Sequence, residues 1–153
     1  MIYKNMNKVN PYIVFIMRII LGLVFIIASY DKLLDPQQFA RDISNYHFIP
    51  FGFENFVAII LPWIELFIGL SLIIGVMLDG SALTTGVLLI MFNFLVLQAM
   101  VRGFNIDCGC GLKEGEMVGA QKLIENFTLL LFSYTIFINK KRIFEFYPKT
   151  TLS

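Results

Sequence analysis

Four long apolar runs, Tyr12–Tyr30, Phe56–Leu78, Ser81–Val101 and Leu123–Asn139, constrain this chain more than any other feature. Each approaches the roughly 20 residues needed to cross the hydrocarbon of a bilayer. No water is present there to satisfy a free backbone N–H or C=O, so each run is expected to be a helix. Asp79 and Gly80 leave almost no linker between the second and third runs, which predicts a tight antiparallel hairpin. Composition agrees: 58% of residues are hydrophobic and 15% charged, against about 45–50% and about 25% in a soluble domain. The expected fold is an all-α integral membrane protein, an antiparallel four-transmembrane-helix bundle forming a single domain over residues 1–153. The net charge of +1 supplies no basic footprint for nucleic acid.

Lys4 and Lys8 precede the first run, as in a secretory signal. The run is longer than the usual apolar stretch of about 7–15 residues, and Ala28-Ser29-Tyr30 is a poor cleavage site, so the segment is expected to be retained. Lys and Arg near span ends set orientation. Lys140-Lys141-Arg142 directly follows the last run, which predicts cytoplasmic termini in the inner (plasma) membrane. Residues Asp31–Asn55 and Arg102–Lys122, carrying Lys32, Arg41, Arg102, Lys113 and Lys122, then lie on the outer, oxidising side.

The second of those outer segments holds both cysteines, Cys108 and Cys110, one residue apart. A disulfide requires a defined Cβ separation and dihedral, so a pair this close joins only with local strain. Gly109 between them and Gly111 after supply the backbone freedom such a turn needs. Strained, exposed disulfides are the labile ones, and closing so short a loop constrains the unfolded chain little. The spacing suits a bond that is made and broken. Asp107 would raise a neighbouring thiol pKa, and Arg102 or Lys113 would lower it. A soft-metal relay through paired thiolates and an inert bridge are the alternatives. A closed zinc site needs four ligands, and the chain offers one histidine, His47.

Arg18 interrupts the first span and Glu65 the second. An ionisable group at membrane depth costs at least about 2.5–3.5 kcal/mol and usually finds a partner. Counted from Tyr30 and Phe56 at 1.5 Å per residue, Arg18 and Glu65 lie about 18 and about 14 Å deep. This predicts an Arg18–Glu65 ion pair, with Asn93 available as a hydrogen-bond partner and Gln98 nearer the outer end of the third span. Gly22 and Gly69 follow the two charges by four residues, where small residues permit close helix contact. Pro62 frees a carbonyl in the second span.

Several of these segments occur together in a known family. Arg18-x-x-x-Gly22-x-x-Phe25, Asp31-Lys32-Leu33-x-Asp35-Pro36 and Leu61-Pro62-x-x-Glu65-Leu66-x-x-Gly69-Leu70 resemble the DoxX-type membrane proteins. Asp107-Cys108-Gly109-Cys110-Gly111 and Asn126 resemble the MauE branch of that group. The resemblance implies a four-helix membrane protein. It also implies a role in extracytoplasmic thiol–disulfide chemistry beside a thioredoxin-like or substrate protein, by analogy with bundles that pass electrons to a quinone. Those bundles carry CxxC where this chain carries CxC.

The leading expectation is a membrane thiol–disulfide oxidoreductase, or its membrane subunit, with Cys108 and Cys110 as the exchanging pair, Asp107, Gly109 and Gly111 supporting them, and quinone as the candidate cofactor. A non-catalytic assembly subunit of a redox or respiratory complex, or a soft-metal or small-solute handler, is the alternative.

Overall fold

The computed structural model describes residues 9–45, 50, 52–101, 120–139 and 143–146. Among these residues the chain forms five helices: α1 (Pro11–Leu34), α2 (Pro36–Asn45), α3 (Glu54–Ile74), α4 (Leu78–Val101) and α5 (Ala120–Ile138). The Asn10 side chain accepts from the Tyr12 N–H at 3.2 Å and Pro11 occupies the first turn of α1, where its missing N–H costs nothing. Pro36 disfavours a helical conformation at the residue before it, so α1 stops at Leu34. The same Asp35 then caps α2, its Oδ1 accepting from the Gln38 N–H at 2.9 Å.

Three sequence expectations are corrected here. The first span continues past Tyr30 to Leu34. A helix, α2, occupies part of what reads as a loop; its Phe39 and Ala40 pack on Ala58 and Leu61 of α3. The hairpin turn lies upstream of Asp79-Gly80, because Gly75, at φ 89°, ends α3 in the left-handed conformation with its N–H bonded to the Ser71 carbonyl. Asp79 instead falls in the first turn of α4, where a negative charge complements the helix dipole.

The helices divide their faces between one another and an apolar surround. On α1 the exposed residues Ile16, Ile20, Leu23, Ile27 and Leu34 lie opposite a buried stripe that includes Val14, Arg18, Leu21, Phe25 and Lys32. Ile59, Trp63, Phe67 and Ile74 on α3 and Leu83, Val87, Ile90 and Phe94 on α4 are likewise exposed. So continuous an apolar exterior suits lipid contact rather than water. α1, α3 and Leu78–Gln98 of α4 are long and apolar enough to cross a membrane. The molecule is an all-α, multi-pass membrane protein.

α1 packs chiefly on α3, and α4 chiefly on α5. Gly22 and Gly69 make the first contact possible. A Cβ on Gly22 would lie 2.9 Å from the Gly69 carbonyl oxygen, and one on Gly69 would lie 2.8 Å from that of Gly22. The two backbones touch, as their i+4 spacing from Arg18 and Glu65 predicts. Ser133 of α5 donates to the Ala82 carbonyl of α4 at 2.6 Å, joining the second pair.

Candidate functional site

Arg18, Gly22, Phe25, Ser29 and Lys32 follow one another at spacings of four, three, four and three, and all are buried. That spacing keeps them on one helical face. Lys32 therefore points inward with Arg18, but near the opposite end of α1. Its ammonium donates to both carboxylate oxygens of Glu65, at 2.7 and 2.8 Å. The Phe39 ring from α2 and the Phe92 ring from α4 each stand with their centroid 5.1 Å from Lys32 Nζ. Four helices thus converge on one ammonium. Withdrawing two ions from water costs several kcal/mol apiece. The paired hydrogen bonds and two aromatic faces offset that cost, and the pair as a whole is neutral.

Asn126 of α5 completes this polar layer. It is 4% exposed, and its Nδ2 has no hydrogen-bond partner among the described residues. Lys32, Glu65, Phe92 and Asn126 share a cavity of about 20 Å³, walled by Phe25, Ala28, Leu89 and Leu129.

The predicted Arg18–Glu65 ion pair does not form; Glu65 pairs with Lys32. The Arg18 guanidinium donates instead to the Ile143 and Phe144 carbonyls at 3.3 and 3.2 Å and lies 5.0 Å from the Phe15 ring centroid. Register explains the difference. With Gly22 opposite Gly69, Glu65 is level with Ile26, so Arg18 lies eight residues, about 12 Å, to one side. Lys32 lies six residues, about 9 Å, to the other. Side chains lean toward the N-terminus of their own helix. In antiparallel helices this swings Lys32 and Glu65 together and Arg18 and Glu65 apart. The depth count fails because Tyr30 is not the end of α1.

Of the remaining expected residues, Asn93 and Gln98 are half-buried on α4. The Asn93 Oδ1 has no hydrogen-bond partner among the described residues, and Asn93 does not line the cavity. Cys108, Cys110, Asp107, Gly109, Gly111 and His47 lie outside the described residues. Lys32, counted in sequence as an outer-loop charge, is the residue that reading missed. The signal was available, since Lys32 continues the period that runs through Arg18.

Residues 10–139, from the cap of α1 to the residue after α5, match the family described as Methylamine utilisation protein MauE. The chain belongs to the MauE family. It is similar to the Methylamine utilization protein MauE of Paracoccus denitrificans, 29% identical over 110 residues, covering 69% of this chain and 59% of that one. Its namesake from Methylorubrum extorquens is 30% identical over 109 residues, with the same coverage of 69% and 59%. That of Methylophilus methylotrophus is 28% identical over 102 residues, covering 66% and 54%. The chain thus spans between about half and three-fifths of the length of these curated relatives. No solved structure matches it. All five helices of the MauE fold described above fall inside the matched region.

Proposed function

We propose that this MauE-family chain is the membrane-embedded half of an extracytoplasmic thiol–disulfide system, with α1, α3, α4 and α5 as four antiparallel spans. The observation that carries the reading is topological. The segment holding Cys108 and Cys110 joins Val101 of α4 to Ala120 of α5, at the end of the bundle where Lys32, Glu65 and Asn126 gather. Membership of a family whose relatives are named for methylamine utilisation supports a role in such a metabolic system. Burial of Lys32 and Lys122 leaves Arg41, Arg102 and Lys113 as the outer charges. Lys4, Lys8, Lys140, Lys141, Arg142 and Lys149 then weigh more heavily for cytoplasmic termini in an inner membrane.

In the proposed step one cysteine thiolate attacks a disulfide of the partner protein, releasing one partner thiolate and forming a mixed disulfide. The neighbouring cysteine, as thiolate, displaces the second partner sulfur. The partner is reduced by two electrons and Cys108–Cys110 is oxidised by two; the reverse sequence oxidises the partner. A quinone ring is too large for the 20 Å³ cavity beside Lys32, so that cavity is not its site. Replacing Cys110 with serine should trap a covalent adduct at Cys108, or the converse, visible on non-reducing gels. If neither single variant traps a partner, and the double variant is fully active in cells, exchange is ruled out.

A non-catalytic assembly role is the second reading. It is favoured by the way the buried charges are spent, Lys32 on Glu65 and Arg18 on two carbonyls. Co-purification with a redox complex at fixed stoichiometry, unchanged by removing both cysteines, would select it.

A further inference from the structure

We infer that the cavity lined by Lys32, Glu65, Phe92 and Asn126 is a binding site for one ordered water, which accepts from Asn126 Nδ2 and donates to the Glu65 carboxylate. The size is decisive first. The cavity measures about 20 Å³, and a single water needs at least about 10–15 Å³ on that measure, so one water fits. The chemistry of the lining then selects among small occupants. An anion would face the Glu65 carboxylate. A metal cation would face the donor groups of Asn126 and Lys32. An apolar occupant would leave a buried amide N–H unpaired, which costs a desolvation penalty. Water alone both donates and accepts.

The partners also suffice in number. Lys32 spends two of its three N–H groups on Glu65, at 2.7 and 2.8 Å, and its third can donate to the same water. With Asn126 and Glu65 this makes three hydrogen bonds, the usual complement of a buried water. Lys32 and Glu65 belong to the α1/α3 pair and Asn126 to the α4/α5 pair. The water is therefore a polar clasp between two helix pairs, held against apolar walls where an unbridged amide would favour their separation.

Two measurements on the full chain in detergent or nanodiscs test this. In a density map at about 2 Å resolution, a peak should lie within about 3.2 Å of both Asn126 Nδ2 and a Glu65 oxygen. Asn126→Leu, which is close in size and has no hydrogen bonds to offer, should lower the melting temperature by about 2–4 °C. If the cavity is dry, that substitution removes an unpaired buried amide and should raise the melting temperature instead. A map with no density in the cavity, or a variant melting at or above the parent, overturns the assignment. The map remains decisive if the variant does not fold.

Discussion

Replacing Lys32 with methionine tests the central interaction of the bundle. Methionine keeps an unbranched stem of similar length and removes the charge. The ammonium makes two charge-assisted hydrogen bonds to Glu65, each worth about 1.5–3 kcal/mol, and faces two phenyl rings at 5.1 Å. The two side chains are 4% and 1% exposed, so solvent cannot take over when one partner leaves. Stranding one member of a buried ion pair costs about 3–5 kcal/mol. At about 2–4 °C per kcal/mol for a chain of this size, K32M should melt roughly 10 °C below the parent, and Glu65→Met should cost a similar amount. The double variant K32M/E65M strands neither member of the pair and should be more stable than either single one. Circular dichroism melts of the purified chain in one detergent close the cycle. If the double variant loses as much as the two single losses added together, the side chains do not interact and the pairing is refuted.

Three further outcomes follow from the same geometry. Arg18→Leu should add to Glu65→Met within about 0.5 kcal/mol, as independent sites do. It should also increase proteolysis near Ile143 and Phe144, whose carbonyls it releases; strong coupling to Glu65 would contradict the observed register. Gly22→Ala and Gly69→Ala should each destabilise by about 1–3 kcal/mol through overpacking. Gly80→Ala, whose Cβ would meet nothing within 4 Å, should be neutral or slightly stabilising in the same melts. Asp35→Ala removes the cap of α2 and should cost about 1 kcal/mol, read as faster amide exchange confined to Pro36–Asn45; unchanged exchange there would rule the cap out.

The helices were legible in the sequence because a bilayer permits so few alternatives: a long apolar run has to satisfy its own backbone. Their ends were less so. Gly75 and Asp79-Gly80 are both plausible turns in sequence, and only the left-handed φ at Gly75 decides between them. α2 was hidden because ten residues with a polar face give no membrane signal, although Asp35-Pro36 carries both a stop and a start. The charged residues show the deepest limit. Arg18 and Glu65 were rightly expected to be buried, since a charge in a lipid-exposed stripe is costly. Their partners depend on axial register, however, and register is set by where Gly22 meets Gly69. Each charge lies four residues from that contact, but in an antiparallel pair those turns run in opposite directions and carry Arg18 and Glu65 apart. Lys32 was misassigned because counting charges at span ends treats every terminal lysine as a loop residue, whereas this one has a stem long enough to reach back into the bundle.

The polar groups of the bundle divide between its two ends, and that division allows a test of whether either charge bears on the cysteines. Arg18 serves the end formed by Gly75 and the chain after α5. Lys32, Glu65 and Asn126 serve the end from which residues 102–119 depart. Phe92 lies nine residues before Val101 and Asn126 six after Ala120, so this layer sits about 9–14 Å along the helices from both attachment points. Breaking the Lys32–Glu65 pair frees Phe92 from the ammonium and unsettles both helices that carry the cysteine segment, while losing Arg18 loosens the far end only. In cells expressing equal amounts of each variant, K32M should therefore change the fraction of Cys108 and Cys110 captured as disulfide by alkylation trapping, and R18L should leave it at the parental value. Equal shifts in both variants would mean that the cysteines respond to general destabilisation, and the link between the polar layer and the thiol chemistry would be lost.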